Sequence, residues 1–482
     1  MTTRIIAFGA TVSVALGALH CQKRTTPEPL ITEPVFETDT GPALVRVLDV
    51  QTDAPLIGAR VWFADTQTTR GTSPETAQDV TAHTDAKTVG TAGFVFFSEA
   101  TSGMRVLNVT HSGYEPGIAR IAVQPRNSTV HTIRLARAKT VQLAGAKDTA
   151  RIRETTYSID IPADTFAGPG DTPIEIRYAM TEPTPAGIRA MPGGFRGVIP
   201  VKGSNMERRG AAGEDAKTVP LASYGAISIS ALRGGEKLNI APGKSIRVRF
   251  ACQTACAGPT QPANTVPLWS LDESTGLWRA EGTARVVLQA NGYWIEADLP
   301  HLSSWNADFP LYAKSSILVR SFVDATGQAL SDPSIFAEGL DQLTTLGGTL
   351  GMRTEFSDGL CLEVPPNTRV RLRAMAWRGD TAFEGEQEFQ TGPPGSDCFE
   401  NRAGAVTIAT FQVDRSPQAD AIRDIGREEL SRLYGRFDLI ETHDGTQMFG
   451  AIIQQARNIL TVQTIQGRVQ IPVRLVESIT FP

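Results

Sequence analysis

Apolar residues along this chain gather in short runs, and many alternate with polar ones at a period of two. Ile227-Ser228-Ile229-Ser230, Ile246-Arg247-Val248-Arg249-Phe250 and Ile295-Glu296-Ala297-Asp298-Leu299 are clear cases. Each suits a strand with one buried and one wet face. Between residues 44 and 137 the runs are Leu44 to Val50, Arg60-Val61-Trp62-Phe63, Phe94-Val95-Phe96-Phe97, Arg105 to Val109, and Ile133-Arg134-Leu135. Asp53-Ala54-Pro55, Thr84-Asp85 and Ser112-Gly113 separate them as turns. A helical period stands out over residues 416–434. Ser416 can cap, Pro417 fits the first helical position, Ile422, Ile425, Leu430 and Leu433 form a narrow stripe, and Gly435 can end it. The expected fold class is therefore mainly β: tandem β-sandwich modules, then one helix and a small C-terminal β-barrel.

Four stretches carry resemblances to known families. Arg4, the uncharged stretch Ile5 to Leu19 and Cys21 resemble a bacterial lipoprotein signal peptide, which implies a lipid on Cys21 as the mature N-terminus. An ordinary secretory leader or an uncleaved short anchor would carry the same charge and apolar run. Residues 22–43, polar and punctuated by Pro27 and Pro29, read as a flexible tether. Val47-Leu48-Asp49, Ala54-Pro55-Leu56-Ile57-Gly58-Ala59-Arg60-Val61, Thr84-Asp85, Gly93-Phe94 and His111-Ser112-Gly113-Tyr114 resemble a carboxypeptidase regulatory-like domain, placed at 44–137. That family implies a non-catalytic sandwich.

Residues 138–312 are expected to form an extracellular β-rich domain. Ile161-Pro162-Ala163-Asp164-Thr165-Phe166, Pro267-Leu268-Trp269-Ser270-Leu271-Asp272, Thr275-Gly276-Leu277-Trp278 and His301-Leu302-Ser303-Ser304-Trp305-Asn306 resemble a segment of cartilage intermediate layer protein ectodomains. Residues 313–415 repeat the order of the opening module: Val323-Asp324, a turn at Thr326-Gly327, then Ser357-Asp358-Gly359 and Val370-Arg371-Leu372-Arg373. They predict a second β-sandwich. Residues 416–482 supply the helix and five short strands. Asp444-Gly445, Gly450, Gly467 and Ile471-Pro472 make this segment resemble an Sm-like small barrel, which implies self-association through strand edges.

Composition narrows the function. The 482 residues are 41% hydrophobic and 20% charged, which excludes disorder of the whole chain. A net charge of −5 without a Lys/Arg block argues against a nucleic-acid partner. With Cys21 assigned to lipid, four of the five cysteines remain, and an even remainder in an exported chain predicts two disulfides. Each pair is placed within one module: Cys252 with Cys256, and Cys361 with Cys398. Four cysteines allow three connectivities.

Candidate chemistry is sparse. The six histidines show no metal-ligand spacing, and no Gly-x-Ser-x-Gly elbow occurs. His301 beside Ser303 and Ser304 reads as packing near Trp305. Gly243-Lys244-Ser245 ends like a phosphate loop, but Leu238 stands where its first Gly belongs and a strand follows. Cys252 and Cys256 as metal thiolates lack further ligands nearby. Asp85, Asp272, Glu273 and Asp358 read as turn residues rather than calcium ligands. The six tryptophans read as core, not as a sugar platform. No catalytic residue, metal site or cofactor is assigned. The sequence leads to an exported lipoprotein, anchored to the envelope and without chemistry of its own: a non-enzymatic binding or scaffolding protein whose loops at the sandwich ends meet an envelope protein or glycan. The alternatives are an envelope polysaccharide- or peptide-acting enzyme built on loop carboxylates, and a structural spacer. The expected place is the outer membrane, on its periplasmic or surface face.

Overall fold

The computed structural model describes residues 35–481, except 37–39, 65–85, 92, 124–128, 168–171, 183, 185–186, 201–215, 253–264, 290–291, 311, 341–344, 347–354, 357–358, 379–380, 397, 399–403 and 466. Strands dominate, arranged in tandem sandwich-type layers, with one α-helix among the described residues.

The first sandwich centres on the strand Thr40–Asp49. It pairs antiparallel with Phe94–Thr101 and parallel with Thr129–Leu135. The facing sheet runs Lys87–Thr88, Arg60–Phe63, Gly103–Thr110, Gly117–Val123. Alternation sends Ala43, Val45 and Val47 inward against Val61, Leu107, Val109 and Ile121. Leu44 points the other way and is buried as well. This explains why the run from Leu44 to Leu48 shows little polar alternation: both faces of the strand are covered.

The middle module is one 12-stranded sheet. Leu143 on one edge strand and Ile152 on the other belong to the same core, so the sheet curls back on itself. A 2.7 Å ion pair from Lys139 to Glu154 ties the two edges.

In the third module, Ser315–Val319 pairs antiparallel with Gly359–Val364 and parallel with Val406–Ile408. This is the pairing of Thr40–Asp49 over again. The two aspartates match too. Asp49 ends its strand and accepts the amides of Gln51 and Thr52, with Arg137 at 2.8 Å. Asp324 accepts those of Thr326 and Gln328, with Arg378 at 2.8 Å. Cys361 and Cys398 form a disulfide inside this module, closing 37 residues.

The helix Ala419–Tyr434 starts three residues after Ser416. Ser416 is buried, and its hydroxyl accepts the Gln418 amide at 3.2 Å. Gly435 ends the helix at φ 69°. The buried face is Ala419, Ile422, Gly426 and Leu430, and Leu433 is exposed. The stripe therefore lies nearer the small residues than the aliphatic spacing suggested. The last sheet runs Val35–Phe36, Gly467–Pro472, Ile459–Thr464, Gln447–Ala456, Asp438–Thr442, Val476–Thr480. Its core is Ile440, Leu460, Val462, Val469 and Ile471. The chain thus enters sheets at Val35–Phe36 and at Thr40, inside the stretch expected as tether.

Two apolar clusters join the layers. Leu44, Phe94, Phe96 and Val130, on the outer face of one sheet of the first sandwich, pack against Met375, Trp377, Ile422, Leu430, Phe437 and Ile465. Val106 and Ile118, on the other sheet, pack against Met191, Phe195, Trp269 and Trp278 of the middle module. Val35–Pro482 form one compact unit.

Candidate functional site

Where the three sandwich-type modules meet, two adjoining cavities open. The larger is a cleft of about 490 Å³. The first sandwich contributes Arg46, Thr132 and Arg134. The short 3-10 helix Gly187–Ala190 brings Arg189, and the third module brings Glu338, Arg371, Arg373, Glu384 and Glu386.

Strand alternation places these charges. Arg371 and Arg373 lie two apart on Arg369–Arg378, so they share a face, with Glu388 and Glu386 opposite them on the neighbouring strand. Arg371 pairs with Glu388 at 2.8 Å and Arg373 with Glu386 at 3.2 Å. Glu338 is buried and bridges modules: Arg189 lies 3.2 Å from one carboxylate oxygen and Arg373 3.6 Å from the other. Burial lowers the affinity of the Arg373 guanidinium for its proton, and the nearby Arg189 adds to that. Arg46 donates to Thr132 Oγ1 at 3.2 Å and to Gln418 Oε1 at 3.1 Å, linking the first sandwich to the residue ahead of the helix. Ser416 donates to Glu384 at 3.1 Å.

The smaller cavity, about 130 Å³, lies beside the cleft and shares Thr132, Arg134, Arg189 and Met191 with it. Arg120, His131 and Arg196 also line it, and its lining contains no carboxylate. The segment Met191–Arg196 forms one wall. It is pinned by the Gly193 amide, which donates to Ile118 O at 2.6 Å, and by Trp278 Nε1, which donates to Gly194 O at 2.7 Å. Gly193 sits at φ 69°, and a Cβ there would lie 2.5 Å from Leu271 Cδ1. Only glycine fits that close approach. Burial drives the His131 imidazole down to about 3, so it is neutral at physiological pH. Burial also lowers Arg196, and Arg120 is the next contributor in the same direction.

The residues singled out in the sequence lie elsewhere. Cys21, Cys256, Asp85 and Asp358 fall outside the described residues, and Cys252 ends the strand Ile246–Cys252. His301 pairs with Glu281 at 2.7 Å and packs against Trp305 with the rings tilted and their centroids 4.6 Å apart. That Glu281 bond raises its pKa. Ser303 donates instead to Leu271 O, and Ser304 bonds Ser228. Gly243 and Lys244 form a turn ahead of a strand, and Asp272 caps the turn at Ser274 and Thr275. All six tryptophans are buried. Among the described residues no group of three or more His, Cys, Asp or Glu could hold a metal, and no helix is long and apolar enough to cross a membrane. The junction cavities were missed because their residues come from strands far apart in sequence. Arg46 in an apolar run and Arg371-Leu372-Arg373 were the available signals.

Comparison with known proteins is thin. No protein-family model matches the chain, and no curated protein matches it. Among solved structures, the Bacillus anthracis TIE protein aligns at 8% identity and a TM-score of 0.15, over 78% of this chain and 51% of that one. This chain therefore spans about half the length of that protein. The Bacillus cereus major pilin subunit BcpA aligns at 10% identity and a TM-score of 0.15, over 78% of this chain and 100% of that one. The Corynebacterium diphtheriae major pilin SpaD gives 10%, 0.15, 78% and 98%. Scores of this size carry no functional weight.

Proposed function

We propose that this chain is an exported protein, held at the cell envelope by a lipid on Cys21, that acts as a non-catalytic binding or scaffolding block. The observation that carries the binding reading is the cleft of about 490 Å³ walled by three modules. A concave space with a few apolar groups and several fixed charges is the usual form of a ligand site. Val130, Met191, Ala337 and Met375 supply the apolar part, and the arginines and glutamates the fixed charges. The Arg4 region, the apolar stretch to Leu19 and Cys21 support the anchoring. The ligand in this reading is an envelope protein or glycan, and the barrel edges leave self-association as a second kind of contact.

Glu338, Glu384 and Glu386 gather in the same cleft, which favours the enzymatic alternative, with carboxylates as acid and base. Against it, Glu338 and Glu386 are engaged by arginine and Glu384 by Ser416. The test uses the full chain, purified from membranes. Mass spectrometry is expected to find an acylated Cys21 at the N-terminus, and any other mature N-terminus refutes the anchor. Incubation with envelope glycans and peptides is expected to give binding without turnover. Turnover abolished by Glu384→Gln would establish the enzyme instead.

A further inference from the structure

We infer that the small recess between the first sandwich and the middle module is a binding site for a tetrahedral oxyanion, a phosphate or sulfate group, held by Arg196 and Arg120 with Arg134, Arg189 and Thr132 around it. This deepens the binding reading above and rests on it. The recess lies at the open edge of the first sandwich, between the strands Gly117–Val123 and Thr129–Leu135, under the segment Met191–Arg196.

Charge is the first argument. Four guanidiniums line about 130 Å³ and no Asp or Glu lines it. Arg134 is compensated from outside by Asp53 at 2.6 Å, and Arg189 by Glu338 at 3.2 Å. Arg196 is different. Its Nε is buried without a hydrogen-bond partner. Leaving a buried N–H of a cation without an acceptor is costly, and Glu363, the carboxylate whose charge favours this guanidinium, lies outside the lining of the recess. A chain that keeps such a group there gains if an anion visits.

Placement is the second argument. Ile118 and Arg120 are two apart on one strand, so they share the face turned to the middle module. The stem of Arg120 packs close to Gly276, where a Cβ would come within 2.7 Å of its Cγ. Its guanidinium is thereby held on the far side of a module boundary from Arg196. Two forks of N–H donors from different modules suit the several oxygens of a phosphate or sulfate, which can accept from both. His131, neutral because of its burial, adds a dipole but no charge. The recess opens next to the cleft, so the anionic group of a larger ligand can seat here while its remainder lies in the cleft.

The test uses the full chain, with inorganic phosphate, sulfate and acetate as probes and vesicles of phosphatidylglycerol as a separate arm. Calorimetry and thermal unfolding are expected to show phosphate and sulfate binding and raising Tm, with acetate weaker. Arg196→Met is expected to weaken phosphate binding by about tenfold to a hundredfold, the loss of charge-assisted hydrogen bonds. In anion-free buffer the same variant is expected to unfold at a higher temperature than the parent, because it removes a buried guanidinium N–H that lacks an acceptor. That second readout holds even if the binding signal is small. Arg247→Met, on an exposed strand face, is the control and is expected to change neither. A response to vesicles but not to free phosphate would assign the anion to a lipid headgroup, and the reverse to a soluble phosphate; both support the site. No response to any anion, or an Arg196→Met variant that binds phosphate like the parent, overturns it. Glycan or peptide binding that persists without any phosphate response would refute the recess alone and leave the cleft reading standing.

Discussion

Glu115 shows how a single carboxyl can tie pH to the junction between modules. It is buried, and its Oε1 has no hydrogen-bond partner. Burial raises it to about 7, against the smaller opposing pull of Arg177 and Lys237 from the middle module. The folded-state pKa thus lies above the unfolded value. The stability linked to this group is fully present below the unfolded pKa, near 4.5, and is lost as pH rises through about 7. Glu115→Gln keeps the shape and removes the charge. It is expected to leave stability near the parent's at pH 4.5 and to exceed it at pH 8 by up to about 3 kcal/mol. Urea unfolding of both proteins at the two pH values measures this, and parallel pH dependences would refute it. Asp49 and Asp324 behave oppositely. Burial pushes the Asp49 carboxyl up, but the Tyr114 hydroxyl, the Thr52 and Gln51 amides and Arg137 outweigh it and hold it well below the usual range. The Thr326 hydroxyl leads in doing the same for Asp324. The two aspartates were legible in sequence, because a strand ending in Asp before a turn is a local pattern. Glu115 was not. Nothing in Tyr114-Glu115-Pro116 marks burial, and the charges that act on it, Arg177, Lys237 and Glu273, come from a module that begins after residue 137 in the chain.

At the scale of elements, the helix is set by its neighbours more than by its own pattern. Helix propensity says that Gly426→Ala should stabilise by about 1 kcal/mol. Packing says the reverse. A Cβ at Gly426 would lie 2.1 Å from Ile465 Cγ2 and 3.2 Å from its Cβ. Ile465 is β-branched and buried in the cluster that joins helix, barrel and first sandwich, so it has little room to turn away. Gly426→Ala is therefore expected to destabilise the chain by about 1–3 kcal/mol, the usual cost of overpacking. Thermal or urea unfolding decides the sign, and a stabilised variant would show that the helix stands off the barrel. The same contact explains why the expected stripe was only partly right. Ile422 and Leu430 were legible as apolar positions, whereas Gly426 carries the closest approach and has no hydrophobic signature. The helix also meets the first sandwich through an ion pair from Lys87 to Glu429. On the barrel, Val35–Phe36 pairs with Gly467–Pro472, which covers one sheet edge with the chain's own backbone. The other edge strand is Val476–Thr480. An uncovered edge is a template for strand addition, so this is where self-association of the barrel would be sought first.

For the whole molecule, the governing fact is that the first sandwich is apolar on the outside of both of its sheets. Leu44, Phe94, Phe96 and Val130 face the helix and the third module, and Val106 and Ile118 face the middle module. The run from Leu44 to Leu48, interrupted only by Arg46, already carried that information, since a sandwich strand with a wet face would alternate. What covers each face was not legible, because the covering residues, such as Trp377, Leu430 and Trp269, come from segments far along the chain. One pair of substitutions should act with opposite signs in the part and in the whole. Residues 40–137 expressed alone would expose both faces and are expected to self-associate and to bind a hydrophobic dye. Leu44→Thr with Phe96→Thr should suppress that association. In the intact chain the same pair removes buried apolar groups and leaves hydroxyls against Trp377 and Ile422. It is expected to cost about 3–6 kcal/mol there, from the transfer and cavity terms of two large side chains. Sedimentation of the fragment and urea unfolding of the chain measure the two halves. A parent fragment that stays monomeric and dye-silent, or an intact double variant as stable as the parent, would mean that the outer faces are not held by the other modules.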